Sequence, residues 1–305
     1  MSVTRYPLVG VVIPSRNRCV DLLECLASLD KQTYPNWFAI IVDDASEDDT
    51  VAAVKRSFPQ MELVTLKRSQ GAVGASNEGF RRALAQSAAY VLRLDSDTVS
   101  DPQLIEALVA AAEAHPQAGV LTAKLYFYDH PQVIWSVGAC QSRFHFGARD
   151  DRRGDRDDAS TQSLRRVDYA WSTGMLIRRG VLEQVGGFDP DFVVYYEEVD
   201  FCLRVRQAGW YIVMVPEARL WHKVAADKGG SRVAYQWNRS KMILFRKHAA
   251  NSMHKASLIL YAFTYALWRA WRPRAGAGNR GPLKDALRGL WDGLRYPLTG
   301  ERVNL

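Results

Sequence analysis

Carboxylates gather at three places in this chain of 305 residues: Asp43-Asp44, Asp95-Ser96-Asp97 and Glu197-Glu198-Val199-Asp200. Two hard oxygen donors spaced as Asp95 and Asp97 are can hold Mg2+ or Mn2+ while substrate phosphates complete the shell. Asp-Ser-Asp is equally ordinary turn composition. A carboxylate at a strand end, as expected for Asp44, can accept the imide N–H of uracil or thymine; the same Asp-Asp-Ala-Ser run can instead cap the next helix. In the third cluster the acids stand beside apolar residues, which is costly unless they face a cleft or cations. One of them can then be a general base, or all of them can open an amphipathic helix whose dipole favours acids. His222, after Leu220-Trp221, can offer a metal a neutral ring nitrogen, or it can be structural.

These side chains need a scaffold that brings them together. The first 125 residues alternate short apolar runs with helical patterns, the signature of a mainly parallel sheet covered by helices. Strands are predicted at Val9–Ile13, Ala39–Val42, Leu63–Leu66, Tyr90–Leu94 and Val120–Tyr126, and in such a sheet ligands sit outside the carboxyl ends. Asp43-Asp44 then ends the second strand and Asp95-Ser96-Asp97 the fourth. Helices are predicted at Val20–Leu29 and Val51–Phe58, the latter with a capping-box-like start at Ser46 and Asp49. A third opens at Asp101-Pro102 and runs to Ala114. Arg149–Ser163 is charged and aperiodic and reads as a mobile loop. Order returns over Tyr169–Arg178, with a helix near Val181–Val185, a turn at Gly186-Gly187, a helix at Val199–Ala208 and a strand at Tyr211–Val215.

Several function classes drop out. The run Gly71 to Gly79 permits close approach of backbone to a ligand, yet it is not GxGxxG and does not follow the first strand, which counts against a dehydrogenase. The first strand runs into Pro14-Ser15-Arg16-Asn17, which weakens a P-loop reading. The four cysteines, Cys19, Cys25, Cys140 and Cys202, form neither a disulfide framework nor a CxxC pair, and read as small buried side chains in a reducing compartment. Met1 to Pro7 carries no export signal, so a cytoplasmic location is expected. From Lys223 onward there are 16 Lys and Arg against 4 Asp and Glu, and before it 24 against 29. The basic tail therefore suits an anionic partner. Its most apolar window, Ser257–Trp268, is about 18 Å of helix, short of the roughly 30 Å hydrocarbon core. With Lys255, Arg269, Arg272 and Arg274 around it, this window resembles an interfacial anchor on anionic lipid at the inner face of the membrane; a helix folded back on the body is the alternative. No nucleic-acid module is recognisable, so no nucleic-acid partner is expected.

Taken in order, Val-Val-Ile-Pro-Ser-Arg-Asn, Ile-Val-Asp-Asp-Ala-Ser, Gly-Ala-Ser-Asn-Glu-Gly, Leu-Asp-Ser-Asp, Ser-Thr-Gly-Met-Leu-Ile-Arg-Arg, Val-Gly-Gly-Phe-Asp, Tyr-Tyr-Glu-Glu-Val-Asp-Phe-Cys-Leu-Arg and the segment Pro216–His222 resemble a family 2 glycosyltransferase of the GT-A fold, in its rhamnosyltransferase-like branch. The resemblance covers about residues 8–250. It implies a Rossmann-like nucleotide-sugar half over 1–125 and an acceptor half over 126–250, followed by a basic helical extension at 251–305. It implies that Pro14 and Arg16 border the nucleoside, that Asp44 contacts the base, and that Asn77 joins the donor-binding set. Asp95 and Asp97 are then the DxD pair, with Asp97 and His222 holding Mn2+ or Mg2+, and Trp171 and Gly174 shape the acceptor side. The family's Glu-Asp pair, whose second member is the base, falls on Glu197-Glu198, with Glu in place of Asp; Glu197 or Asp200 can serve instead. The implied activity is inverting transfer of a sugar from a UDP- or dTDP-sugar to a glycan or lipid-linked glycan in cell-surface polysaccharide assembly. A catalytically weak nucleotide-sugar-binding or scaffold protein at the membrane is the second reading.

Overall fold

A computed structural model of the chain describes residues 6–142, 145–150, 152–224, 231–271, 283–299, 303 and 305. Strand and helix alternate through β1 Val9–Ser15, α1 Cys19–Leu29, β2 Trp37–Asp43, α2 Thr50–Ser57, β3 Glu62–Thr65, α3 Gly71–Ala85, β4 Tyr90–Arg93, β5 Thr98–Ser100, α4 Leu104–Ala114 and β6 Ala118–Phe127. Short strands follow: β7 Ile134–Ser136, β8 Cys140–Gln141, β9 Ala148–Arg149 and β10 Arg165–Val167. Then come β11 Met175–Arg178, α5 Arg179–Val185, α6 Glu197–Gln207 and β12 Tyr211–His222, and after them α7 Ser231–His248, α8 Ser252–Trp271 and α9 Leu283–Arg295.

The central sheet runs β10-β12-β6-β11-β4-β1-β2-β3. The pairs β3–β2, β2–β1, β1–β4 and β6–β12 are parallel, whereas β11 is antiparallel to both β4 and β6. The chain reaches β11 from a long excursion rather than a crossover helix, and nothing forces it parallel. Both faces are covered: α1 and α4 pack with Val11 and Ile13 on one side, α3, α5 and α6 with Val12 on the other. Burial on two faces explains why β1 and β2 are continuously apolar rather than alternating.

The glycine-rich run is not a loop around a ligand but the first turns of α3. A Cβ at Gly79 would stand 2.2 Å from Val12 Cγ1, so the close approach this glycine permits is of helix to sheet. Other expectations shift locally. α4 begins at Leu104, with the Asp101 carboxylate accepting from Gln103 N–H at 2.9 Å, so Pro102 precedes the helix. At α2 it is Asp48, not Ser46 or Asp49, that accepts from the Thr50 N–H; the Ser46 hydroxyl accepts from Asn17 N–H instead. Cys25 and Cys202 are buried as expected, but Cys140 is at the surface.

The charged segment 149–163 is built onto the sheet, apart from Asp151, which lies outside the described residues. Ile134 N–H donates to Asp155 O and Gly154 N–H to Ile134 O. Asp157 receives the fully buried Lys124 ammonium at 3.0 Å and the Tyr126 hydroxyl at 2.7 Å. Burial pushes the Asp157 carboxyl up, but Thr161, Tyr126 and Lys124 outweigh it and bring it down to about 2. Periodicity misses this anchoring because it runs through single polar contacts rather than an apolar face.

The helical extension expected from residue 251 shares its core with α7. Met242 and Phe245 pack with Leu258, Ala262, Ala266 and Leu290, while Ile243 and Leu244 of the same helix join the main core. Lys247 pairs with Asp189 and Asp191, and Thr299 N–H returns to Asp191 at 3.3 Å. The apolar window lies inside α8, which turns Leu258, Ala262 and Ala266 inward and leaves Met253, Leu260, Leu267 and Trp268 exposed. Arg272 and Arg274 lie outside the described residues. No helix among the described residues is long and apolar enough to cross a membrane.

Candidate active site

Because β2, β1 and β4 are adjacent and parallel, their carboxyl ends meet at one edge. A cavity of about 310 Å3 opens there, lined by Pro14, Arg16, Arg18, Asp44, Arg93, Asp95, Asp97 and His222 among others. The two loops that enter it are held in left-handed conformations, Asn17 at φ 51° and Ala45 at φ 58°. Asn17 Oδ1 accepts from Glu47 N–H and its own N–H reaches Ser46, so the loops after β1 and β2 brace each other. Strain of this kind persists where surrounding structure over-determines it, commonly at functional sites.

Asp44 is at the cavity wall but largely committed. One oxygen accepts from Gln70 N–H at 2.6 Å; the other takes Ser69 Oγ–H at 2.6 Å and Gly71 N–H at 3.0 Å. Three of its roughly four acceptor positions are thus filled. The helix start that Asp44 holds is that of α3, not of the next helix α2, where Asp48 accepts from Thr50 N–H, so the reading of Asp44 as a cap of the next helix does not hold. Arg16 is half exposed.

Asp95, Asp97 and His222 offer three ligand atoms within 4.8 Å of one another. His222 arrives because β12 does not stop at Val215: after an irregularity between Val215 and Arg219 it continues beside β6 and pairs antiparallel with β5. Its Nε2 lies 3.2 Å from Asp97 and 3.9 Å from Asp95, and its ring meets Trp135 edge-on at 4.9 Å. Two carboxylates and an imidazole suit Mn2+ or Mg2+ with phosphate oxygens filling the remaining positions. The cations around them were not singled out from sequence. Arg18 lies 3.3 Å from Asp97, and Arg93, buried in β4, pairs with Asp95. Burial raises the Asp95 carboxyl, but Arg93, His222 and the Thr173 hydroxyl bring it to about 2. A lone arginine in the apolar strand Tyr-Val-Leu-Arg was the available signal.

The third acidic cluster opens α6, directly after Tyr195 and Tyr196 at φ 65° and 69°. Trp237 of α7 braces that turn, its ring 5.2 Å from Tyr195 and 5.0 Å from Tyr196. Glu197 and Glu198 interact with each other and feel Arg93. Burial and then the Glu197 carboxylate push Glu198 well above the ordinary carboxylate range; Glu197 is raised too, chiefly by burial. Glu198 lines a second cavity, of about 200 Å3, with Trp171 on its wall. Asp200 does not: fully buried, it holds Arg204 and His248, both at 2.8 Å, and burial is overcome by these partners to lower its carboxyl. Asn77 and Gly174 line neither cavity. The Asn77 amide clamps both the N–H and C=O of Phe188, and Gly174 packs against Leu220 and Leu125.

The family model for glycosyl transferase family 2 matches residues 10–186. The N-acetylglucosaminyl-diphospho-decaprenol L-rhamnosyltransferase of Mycobacterium tuberculosis is 27% identical over 281 residues, 87% of this chain and 84% of that protein. An uncharacterized protein, y4gI of Sinorhizobium fredii, is 28% identical over 73% of this chain, which spans only 25% of its length. Among solved structures, the mannosyltransferase PcManGT from Pyrobaculum calidifontis in complex with GDP-Man and Mn2+ aligns over 95% of this chain and 88% of that one, at TM-score 0.61 and 17% identity. S. aureus TarS 1-349 aligns over 94% and 81%, at TM-score 0.58 and 17% identity. These two establish the GT-A-like fold. With a family model matched over more than half of its length, the chain belongs to glycosyl transferase family 2.

Proposed function

We propose that this glycosyltransferase moves a sugar from a UDP- or dTDP-sugar to a hydroxyl of a lipid-linked glycan, with inversion and with metal dependence. The observation that carries the reading is the convergence of Asp95, Asp97 and His222 beside Arg18 and Arg93. Arg18 and Arg93 orient the donor diphosphate, while Pro14 and Arg16 flank the nucleoside and Asp44 offers its remaining acceptor position to the base. Mn2+ or Mg2+, held by Asp97 and His222 with Asp95 beside them, would supply Lewis-acid neutralisation of the charge on the leaving diphosphate. Glu198 takes the proton of the acceptor hydroxyl as its oxygen attacks the anomeric carbon from the face opposite the diphosphate. A carboxyl raised by burial is better matched to that task than an ordinary one. The lipid-linked acceptor is supported by the mycobacterial relative, named for a diphospho-decaprenol acceptor, and by the exposed apolar face of α8, suited to the inner face of the membrane.

The test is calorimetric titration with UDP and with dTDP, each with and without Mn2+, on the wild type and Asp97→Ala. Binding of one nucleotide that requires both metal and Asp97 is expected. Binding indifferent to both would remove the donor-site reading.

A further inference from the structure

The second cavity lies between the catalytic body and the helical extension, with Glu198 on its α6 wall and Tyr261 on its α8 wall. The segment 145–147 on the same lining decides what the Tyr261 hydroxyl can do. Gly147 N–H donates to His145 Nδ1 at 2.8 Å, so Nδ1 carries no proton and the neutral ring holds its one N–H at Nε2. That nitrogen lies 3.1 Å from Tyr261 Oη and is therefore the donor of the pair. A hydroxyl that accepts there keeps its own proton to give, and among the described residues no second partner of Tyr261 Oη takes it.

The imidazole is fixed in this role by its surroundings. A Cβ at Gly147 would stand 2.4 Å from His145 Cε1, so glycine at 147 is what lets the ring lie against its own turn. The ring stacks on Tyr261, with centroids 4.7 Å apart and planes at 18°. Burial, and after it the Lys241 charge, holds the imidazole below its ordinary value, which keeps it neutral at neutral pH. At about 200 Å3 the cavity is below the roughly 300–1,000 Å3 of drug-sized sites and suits one ring-sized group. Trp171, Trp237 and Tyr265 give it flat apolar walls, and a few placed polar groups among such walls fix a ligand's orientation. Here two of them are complementary: ionised Glu198 accepts and Tyr261 donates, and sugar hydroxyls can answer both.

We propose that Tyr261 is a specificity-determining residue for the acceptor, its O–H donating to an oxygen of a single sugar ring held in this cavity, with His145 as the residue that positions it. The proposal rests on the reading of Glu198 as the base. It gives the extension a direct part in acceptor choice, because Tyr261 belongs to α8.

Ligand-observed NMR titrations decide it, using the methyl glycosides of glucose, galactose and N-acetylglucosamine. They are run with UDP and Mn2+ saturating, so that the first cavity is filled, and again without nucleotide. At least one glycoside is expected to bind the wild type. Tyr261→Phe, which keeps the ring, should weaken that binding about three- to tenfold, the measure of one net hydrogen bond, and leave UDP binding unchanged. His145→Asn keeps an acceptor for Gly147 N–H and removes the Nε2 donor. It should weaken glycoside binding in the wild-type background and have no further effect in Tyr261→Phe, whereas a merely structural histidine would cost the same in both. No binding of any glycoside, equal affinity of Tyr261→Phe and wild type, or an equal loss from His145→Asn in both backgrounds overturns the proposal. Failure of UDP to bind the wild type would instead remove the donor reading, while the series without nucleotide still decides the role of Tyr261.

Discussion

The two cavities differ in how their charges are settled. At the cavity of the strand ends nearly every carboxylate has a cation or hydrogen-bond donor: Asp95 has Arg93 and Thr173, Asp97 has Arg18 and His222, and Asp44 has two backbone N–H groups and a hydroxyl. At the second cavity Glu197 and Glu198 interact with each other, and one oxygen of each is buried without a hydrogen-bond partner among the described residues. The first arrangement occupies its carboxylates with partners and, at Asp95, holds the carboxyl low, which leaves little for them to do as bases. In the second the charged form is disfavoured, so the pair holds a proton more tightly than an ordinary carboxyl, as a group tuned to move one does.

The largest expected effect that separates the two is at Glu198. Glu198→Gln should lower turnover by about 10²–10⁴-fold while nucleotide binding stays unchanged; near-normal turnover would transfer the base to another residue. The same substitution should change how stability depends on pH. The folded-state value of Glu198 is raised, so its contribution is full below the unfolded-chain value and is lost as pH rises through the folded one. Melting temperature of the wild type should therefore fall with rising pH above the ordinary carboxylate range, and less so in the variant. Activity should rise over the same interval as the base deprotonates. An acid limb at the ordinary carboxylate value would contradict the raised pair.

Next comes the brace that holds the pair. Trp237→Ala removes the ring against Tyr195 and Tyr196 and should cost about 1–3 kcal/mol of stability, less than a fully buried Trp because Trp237 is partly exposed. It should also reduce kcat more than nucleotide affinity. Equal loss in both would mean that the strained turn serves the whole domain rather than the acceptor side. Asn77→Ala should cost about 1–3 kcal/mol through the two lost Phe188 contacts, with nucleotide affinity at a given temperature unaltered. A specific loss of affinity would return Asn77 to the donor set. The smallest effect is expected at the outer face of α8. Leu260→Asp should weaken binding to acidic vesicles several-fold and leave transfer to a water-soluble acceptor unchanged; identical vesicle binding would argue that this face meets something other than lipid.

Much of the first cavity was legible because parallel strands convert sequence order into spatial order. Once Val9–Ile13, Ala39–Val42 and Tyr90–Leu94 are strands, the residues after them share an edge, and Pro14, Asp44, Asp95 and Asp97 follow. His222 was found from its place after the last strand, although the strand that delivers it is seven residues longer than its apolar run, because Pro216 and Glu217 interrupt the pattern at the irregular stretch beside β6. Asn77 and Gly174 were misleading for one reason: a polar amide or a glycine beside a motif has the same appearance whether it touches ligand or packs the fold.

The sequence by itself determined the family, the alternation that makes a doubly covered sheet, and which carboxylates stand at strand ends, since these depend on local periodicity and motif order. The tertiary structure alone decided which carboxylates are spent. Asp200 is two residues from Glu198 yet is held by Arg204 and by His248 from α7, while Glu198 is left against another acid. It also decided that α7 and α8, separated from Glu198 by some forty to seventy residues of sequence, close the wall opposite it. Neither follows from spacing, because desolvation and charge pairing are set by what packs across a site, and that is fixed only when the distant helices dock.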